Sequence, residues 1–322
     1  MASIEEYSFD DYANFQNKEN TPIFPVENPP DIEKSNVSHG AYTSVFELGN
    51  NRVAKISRIL RMEEGKVKLQ GTEGEKYLAE KTGDADLDRN TVINKMRELA
   101  REKQEIYELL GTYIGTFLPK IDMYAVVNSP RRELEKRMNR GNSDQEISNV
   151  PISEIALMEI WEKVDAKNAL QNVGYRALSE MYDDPEFQQQ SKHFADATLR
   201  LLEEKGVYID ISDRGGVRGY SIEGKRVNLR AYDELADGEQ NGTLVYPRNT
   251  TLDSGKLKYF DTFPIHYLDS SVTQELLMQI KERLRVSDFE GLKNLESYCE
   301  RPREFQLTTQ YLYLLKRMGA EL

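Results

Sequence analysis

The amino-acid sequence predicts a mixed α+β protein, with an antiparallel sheet in the first part and a mainly helical second part. Alternating apolar and polar residues, typical of strands, occupy residues 38–56. Later segments, such as residues 185–205, carry apolar residues at three- and four-residue steps, which is typical of amphipathic helices. With 322 residues and 39% hydrophobic content, the chain can bury one sizeable core or two modest lobes.

Residues 38–56 predict a strand-turn-strand that binds phosphate. Gly40 and other small residues let backbone N–H groups approach an anion, Tyr42 can cap the turn, and Val45 can cover a flat ring. Lys55, in the second strand, would supply a positive charge to phosphate oxygens. Taken alone, the fragment also fits an ordinary hairpin with a solvated lysine.

A second informative segment lies late in the chain. Residues 257–263 read as a strand that ends in Asp261, and they follow a turn at residues 253–256. A hairpin here would bring Asn249 and Asp261 together, although they are twelve residues apart. Mg²⁺ prefers oxygen ligands of this kind, so the segment predicts a magnesium site.

Taken in order, these segments resemble the protein-kinase-like superfamily, in the atypical bacterial branch that includes small-molecule phosphotransferases. Residues 38–45 resemble the glycine-rich loop, and residues 53–55 (VAK) resemble the V-A-x-K lysine with one residue missing. Residues 247–249 (PRN) and 261–263 (DTF) resemble P-x-N followed by D-F-G. The resemblance covers about residues 36–270.

The resemblance implies a bilobal fold that binds ATP and Mg²⁺. Residues 35–158 would form an N-lobe with charged insertions, built from an antiparallel sheet and one helix. Residues 156–160 (ALMEI) resemble the last strand of that lobe running into the hinge, with Met158 as gatekeeper. The implied nucleotide-binding residues are Gly40, Tyr42, Val45, Lys55, Met158, Glu159 and Ile160.

The family also needs a helical glutamate that holds the lysine. Residues 91–114 predict a helix from their apolar stripe, and Glu98, Glu102 and Glu105 lie on neighbouring turns of one face. The distance from Glu105 to the next predicted strand fits the family best, so Glu105 is the predicted partner of Lys55 and Glu102 the alternative. All three carboxylates also fit an ordinary solvated helix face.

The catalytic aspartate has two open interpretations, because a His-Arg-Asp triplet is absent from the sequence. In the first, Asp210 or Asp213 is the catalytic base and an insertion at residues 214–246 loops out before Asn249. In the second, the aspartate is lost and the protein binds nucleotide without efficient transfer. We favour the first interpretation, with Asp210 as the base.

Composition limits the classes of partner that the protein is expected to bind. A net charge of −12 argues against nucleic acid or an anionic membrane as the main partner, since both require a positive surface. Cys299 is the single cysteine, so no intramolecular disulfide is expected, and no apolar stretch is long enough to cross a bilayer. Together with the resemblance, these features predict a bacterial cytoplasmic protein.

The predicted organisation has three parts. Residues 1–34 are acidic and proline-containing and predict an extended arm, which precedes the N-lobe and a mainly helical C-lobe at residues 159–322. Only about sixty residues follow Asp261, without an A-P-E triplet. This favours a compact phosphotransferase acting on a small-molecule or protein hydroxyl. The alternative is a pseudokinase that binds or scaffolds a protein partner through a degenerate nucleotide site.

Overall fold

A computed structural model describes most of the chain, in which two compact units are resolved. The first unit comprises Met1–Glu105 and Pro119–Lys163, and the second comprises Ile106–Leu118 and Val164–Leu322. The described residues are 4–8, 38–39, 43–49, 51–57, 60–63, 66–69, 77–80, 85–128, 155–165, 168–214, 221–223, 226–227, 232, 235, 244–260 and 266–322. Helices and antiparallel strands both occur, as the predicted α+β class requires. Within these ranges, no helix has the length and apolar character needed to span a membrane.

The first unit contains a six-stranded sheet and a separate three-stranded sheet. Its strands are β1 (Ile4–Ser8), β2 (Ser38–His39), β3 (Thr43–Gly49), β4 (Arg52–Ser57), β5 (Leu60–Glu63), β6 (Lys66–Leu69), β7 (Tyr77–Glu80), β8 (Ile121–Asn128) and β9 (Ile155–Glu162). The large sheet has the order β1-β8-β9-β4-β3-β2, in which β1 is parallel to β8 and the other pairs are antiparallel. The predicted arm therefore contributes an edge strand. Strands β5, β6 and β7 form the smaller antiparallel sheet.

Strand β9 continues past the predicted end of the N-lobe at residue 158. It pairs with β8 on one side and with β4 on the other, and the pairing with β4 extends to Glu162. Ile160 and Trp161 are buried, so apolar burial keeps this part of the chain in the sheet. The chain passes from the first unit to the second after Lys163, later than the sequence predicts.

A single long helix precedes β8. Helix α1 spans Ala85–Ile114 and begins before the predicted residue 91. Leu99 and Ala100, in the part that belongs to the first unit, are buried, which confirms the predicted apolar stripe there. The helix ends in a one-turn 3-10 segment, Gly115–Phe117.

The second unit is mainly helical. Its helices are α2 (Tyr175–Tyr182), α3 (Pro185–Lys205), α4 (Gln274–Arg285), α5 (Phe289–Glu296) and α6 (Pro302–Arg317). Helix α3 has clear ends: the Asp184 side chain accepts a hydrogen bond from Glu186 N, and Gly206 terminates the helix with φ +65°. Helices α3 and α6 supply much of the buried core, so the predicted amphipathic patterns are confirmed.

Short antiparallel strands complete the second unit. They are β10 (Val207–Tyr208), β11 (Ile211–Arg214), β12 (Ser221–Glu223), β13 (Arg226–Val227), β14 (Leu244–Pro247), β15 (Thr250–Asp253), β16 (Lys256–Tyr259) and β17 (His266–Tyr267). One sheet has the order β13-β12-β11-β14, and β10 pairs with β17. Strands β15 and β16 form the predicted hairpin, whose turn residues Ser254 and Gly255 both have positive φ, as a tight hairpin turn requires.

The predicted insertion at residues 214–246 is more than a polar surface excursion. Its described strands β12 and β13 extend the sheet of β11, and the side chains of Tyr232 and Leu235 are buried in the core. The Tyr232 hydroxyl donates to Glu296 at 2.7 Å, and the Tyr313 hydroxyl donates to the Leu235 carbonyl at 2.9 Å. Apolar side chains within a glycine-rich segment therefore attach it to helices α5 and α6.

The buried tyrosines predict a loss of stability at alkaline pH. The Tyr182 hydroxyl donates to the Val245 carbonyl, and burial raises its pKa to about 12. Since an unfolded tyrosine has a pKa of about 10, the folded protein holds this proton more tightly. Its contribution, about 3 kcal/mol, is complete below pH 10 and is lost as pH rises from 10 towards 12.

We expect the melting temperature of the wild type to fall between pH 10 and 11.5. Tyr182→Phe removes one titrating group, so the variant should be less stable at pH 8 but lose less of its melting temperature over that interval. Tyr298→Phe, at a position that is 87% exposed, is the matched control and should follow the wild type. Equal pH dependence in Tyr182→Phe and the wild type would contradict the assignment.

Candidate functional site

Lys55 lies in the interior of the large sheet of the first unit. It pairs with Val45 on β3 and with Glu159 on β9, so these three side chains share one face. Trp161, two residues beyond Glu159, lies on the same face. The Lys55 ammonium is 3.6 Å from the centroid of the Trp161 ring, which is a cation–π contact.

The missing residue of the lysine motif has a geometric consequence. In V-A-x-K, alanine and lysine are two residues apart and point to the same side of the strand. Here Ala54 and Lys55 are adjacent, so Ala54 points to the opposite side, where it is fully buried. Met158 and Ile160 alternate with Glu159 and lie on the Ala54 side. The gatekeeper and lysine positions are therefore on opposite faces.

Glu159 is a buried carboxylate at the centre of this sheet, with 3% of its surface exposed. Its Oε1 forms an ion pair with Lys103 Nζ of helix α1, and its Oε2 accepts a hydrogen bond from Trp161 Nε1 at 3.1 Å. A buried charge is stable only when it is paired and hydrogen-bonded, and here both oxygens have partners. The helix supplies the cation and the strand the carboxylate, the reverse of the predicted arrangement.

Glu105 lies on an exposed side of helix α1. Lys103 faces the sheet, and a residue two positions further is rotated by about 200° around the helix axis. The pairing of Glu105 with Lys55 stays a prediction. Glu102, the alternative, is half-buried.

Residues 156–160, which resemble the last strand of the N-lobe, lie in strand β9. Strand β9 is bordered on both sides, so the backbone of Glu159 and Ile160 is engaged in ladders with β8 and β4. The strand continues to Glu162, two residues past the segment that resembles it. Lys163 then donates its N–H to the Asn51 carbonyl at 2.9 Å. Val45 is half-buried, and Gly40 and Tyr42 lie outside the described residues.

In the second unit, Asp210 lies close in space to the residues that follow the insertion. Asp210 separates β10 from β11, and its carbonyl accepts a hydrogen bond from Arg248 N at 3.0 Å. Strand β11 pairs with β14 from Ile211 opposite Pro247 onwards. The pairing of β11 with β14 thus brings the two ends of the insertion together. Asn249 is the second residue after β14. Asp213, the alternative base, lies within β11 opposite Val245.

Helix α6 fixes the strand that leads into Asp210. Ile209 N donates to the Tyr311 hydroxyl at 2.8 Å, and the Tyr208 and Thr308 hydroxyls are 2.8 Å apart. The Tyr208 and Tyr311 rings meet edge to face, with centroids 4.8 Å apart. Burial raises the pKa of Tyr311 well above its ordinary value, and the nearby negative charge of Asp210 adds to this shift. The Tyr311 hydroxyl therefore remains neutral over the physiological range.

Asn249 is held in an unusual backbone conformation. Its φ is +54°, and its side chain and backbone form reciprocal hydrogen bonds with Gln171: Gln171 Nε2 donates to Asn249 Oδ1, and Asn249 N donates to Gln171 Oε1, both at 3.0 Å. Asparagine tolerates this left-handed conformation better than most residues. The Asn249 carbonyl accepts from Phe260 N at 3.0 Å, so the hairpin brings Asn249 to the residue that precedes Asp261.

The donor chemistry around Asn249 suits Mg²⁺. An amide oxygen can accept two hydrogen bonds or bind a metal ion, and Asn249 Oδ1 accepts one of these bonds from Gln171. Asp261 itself lies outside the described residues. Within the described part of the chain, no group of three or more His, Cys, Asp or Glu side chains could hold a metal ion. The proposed pair of ligands therefore depends on Asn249 together with Asp261.

Two residues that the sequence did not indicate complete this arrangement. Gln171 is 78 positions from Asn249, and no local pattern connects them. The Thr251 hydroxyl lies 2.9 Å from the Asp165 carbonyl and 3.2 Å from the Asn168 carbonyl, and Thr251 is fully buried. Two threonines at the start of a strand, such as Thr250 and Thr251, carry no sequence signal for contacts with distant residues. These bonds fix Asp165, Asn168 and Gln171 against the hairpin.

Comparison with known proteins yields no relative. No protein-family model, no curated protein and no solved structure matches this chain.

Loss of the Tyr311 hydroxyl is expected to destabilise the second unit. Tyr311→Phe would leave the buried Ile209 N–H without an acceptor, at a cost of about 1–3 kcal/mol in the free energy of unfolding. Urea denaturation followed by circular dichroism measures this change. Tyr298→Phe makes the same chemical change at an exposed site and should alter stability by less than about 0.5 kcal/mol. Equal stability of Tyr311→Phe and the wild type would show that the hydroxyl does not support this strand.

Proposed function

We propose that this protein is an ATP-dependent phosphotransferase of the bilobal protein-kinase-like fold, which transfers a phosphoryl group to a small-molecule or protein hydroxyl. One observation carries the proposal: the Asp210 carbonyl accepts from Arg248 N, next to Asn249. In the kinase pattern the catalytic aspartate and the metal-binding asparagine are separated by a short loop. Their proximity supports the interpretation in which Asp210 is retained and residues 214–246 are an insertion.

The order of elements in the first unit also supports the proposal. Strands β2, β3 and β4 are followed by helix α1 and then by β8 and β9, and consecutive neighbours within this group of five strands are antiparallel. The resemblance implies a five-stranded antiparallel sheet with one helix. The small sheet of β5 to β7 corresponds to one of the predicted charged insertions.

Each proposed site residue has a chemical role. Asp210 would orient the acceptor hydroxyl and accept its proton, and Lys55 would contact phosphate oxygens. Asn249 and Asp261 would hold Mg²⁺, which neutralises charge on the phosphates when it is bound. Phosphoryl transfer depends mainly on positioning and electrostatics, so the rigid hydrogen bonds around Asp210 and Asn249 are the features that matter.

The charge of the chain bears on the acceptor and on the location. A net charge of −12 attracts cationic acceptors and tolerates neutral ones, whereas it repels polyanions. A small cationic or neutral molecule with a hydroxyl group, or a protein of that character, is the proposed acceptor. The bacterial cytoplasm is the proposed location.

A second candidate is a pseudokinase that binds a protein partner. The specific observation in its favour is in the first unit: Glu105, the predicted partner of Lys55, is exposed. The two candidates differ in nucleotide binding and in turnover, so a binding measurement followed by a transfer measurement separates them.

Binding is tested by thermal melting with ATP, with and without Mg²⁺. A ligand that binds only the folded state raises its stability by about 2.7 kcal/mol at one hundred times Kd, which is a rise of several degrees in Tm. We expect a rise that depends on Mg²⁺ and is lost in Asp261→Ala. No shift at millimolar ATP would contradict the nucleotide site and favour the scaffolding candidate.

Transfer is tested by comparing two aspartate variants in an ATP turnover assay. Asp210→Asn keeps the shape of the side chain and should still show the thermal shift, but it should lower turnover by about 10²-fold or more, since it removes the base. Asp213→Asn is the matched control and should retain turnover. The opposite result, with Asp213→Asn inactive, would move the base to the alternative position.

A further inference from the structure

Four side chains of the first unit form a connected group that the proposed function does not yet explain. We call it the Lys55 cluster, and its members are Lys55, Lys103, Glu159 and Trp161. Lys103 binds the Glu159 carboxylate, Glu159 accepts from the Trp161 indole N–H at 3.1 Å, and the Lys55 ammonium lies 3.6 Å from the centre of the indole ring. A continuous chain of contacts therefore runs from the helix to the lysine.

The cluster is buried enough to fix the indole ring. Glu159 and Trp161 have exposed fractions of 3% and 2%, and the Lys103 side chain is 11% exposed. The hydrogen bond from Nε1 to a carboxylate sets the rotation of the ring, because a charge-assisted bond is directional and strong. The ring face that meets Lys55 is thereby fixed.

We infer that Trp161 and Glu159 are positioning residues for Lys55. The inference rests on the proposed function, since it concerns how the phosphate-binding lysine is held. Trp161 provides the surface on which the ammonium is ordered, and Glu159 acts through Trp161. Lys103 of helix α1 connects the helix to this group through its ion pair with Glu159. The helix here supplies the cation, whereas in the kinase pattern it supplies the carboxylate.

The physical basis is the entropy of the lysine side chain. A free lysine loses rotamer freedom when it binds a phosphate, which costs about tenfold in affinity. A lysine that already lies on a fixed indole ring has lost much of that freedom before the nucleotide arrives. Preorganisation of this kind improves binding without any new contact to the ligand.

A double-mutant cycle on Mg²⁺-ATP affinity tests the inference. Trp161→Leu should weaken Mg²⁺-ATP binding by about tenfold, because Lys55 then loses its ordered position. Lys55→Met should weaken binding at least as much. If Trp161 acts through Lys55, the double variant should bind no more weakly than Lys55→Met alone. Additive losses would overturn the inference.

Intrinsic fluorescence gives a second readout that a merely structural role would not produce. Trp161 is the single tryptophan of the chain, so its emission reports on this cluster alone. Lys55→Met should change the emission in the absence of nucleotide, since it removes the charge above the ring. Lys120→Met, at a lysine whose side chain is 70% exposed, is the matched control and should leave the emission unchanged. Unchanged emission in Lys55→Met would contradict the contact.

Glu159→Gln separates positioning from folding. Glutamine keeps the shape and an oxygen that can accept from the indole, so the variant is less disruptive than removal of the side chain. It should bind Mg²⁺-ATP more weakly than the wild type while its emission shifts in the same sense as in Lys55→Met. Affinity equal to that of the wild type in both Glu159→Gln and Trp161→Leu would overturn the inference.

Failure of the inference and failure of the proposed function have different signatures. If the wild type shows no Mg²⁺-dependent thermal shift with ATP, the proposed function fails. If the wild type binds ATP and the Trp161 variant binds it equally well, only the positioning role fails. Baseline Tm values without ligand separate any loss of stability from the change in affinity.

Discussion

The pairing of β11 with β14 is the interaction on which the candidate site in the second unit depends. This ladder brings the two ends of the insertion together, so that Asp210 and Asn249 become neighbours although 39 positions separate them in the sequence. The entropy of closing a loop grows only with the logarithm of its length, so a long insertion costs little more than a short one. Burial of Tyr232 and Leu235 helps to offset that cost.

The sheet of the first unit shows how one strand can combine buried apolar residues with a buried charge. Strand β9 has neighbours on both sides, and its residues alternate between a face with the buried Met158 and Ile160 and a face that carries Glu159 and Trp161. Placing a carboxylate there is costly unless both oxygens are satisfied. The cost of burying the Glu159 carboxylate therefore requires suitable neighbours. They are a cation on the facing helix and an indole N–H on the same strand.

Much of the fold could be predicted from the sequence, because periodicity and turn residues are local signals. Helix α3 and the β15–β16 hairpin lie close to their predicted positions. The ion pair between helix α1 and the sheet could not be predicted in this way, since it depends on which side of α1 faces the sheet. Lys103, rather than Glu105, lies on that side and binds Glu159. The one local signal was Glu159 itself, a charged residue within the apolar run of residues 156–161. Gln171 gave no signal, because its partner is 78 positions away.

The hydrogen bond from Ile209 to Tyr311 has a consequence for how the protein folds. These residues are 102 positions apart, so the strand that leads into Asp210 gains its buried acceptor only after helix α6 has docked. Tyr313, on the same helix, also binds Leu235 of the insertion. Contacts of such long sequence separation form slowly, because the chain must lose the entropy of a large loop before they contribute. Docking of one helix therefore completes both segments in a single non-local step, and the strand that leads into Asp210 reaches its final structure late in folding.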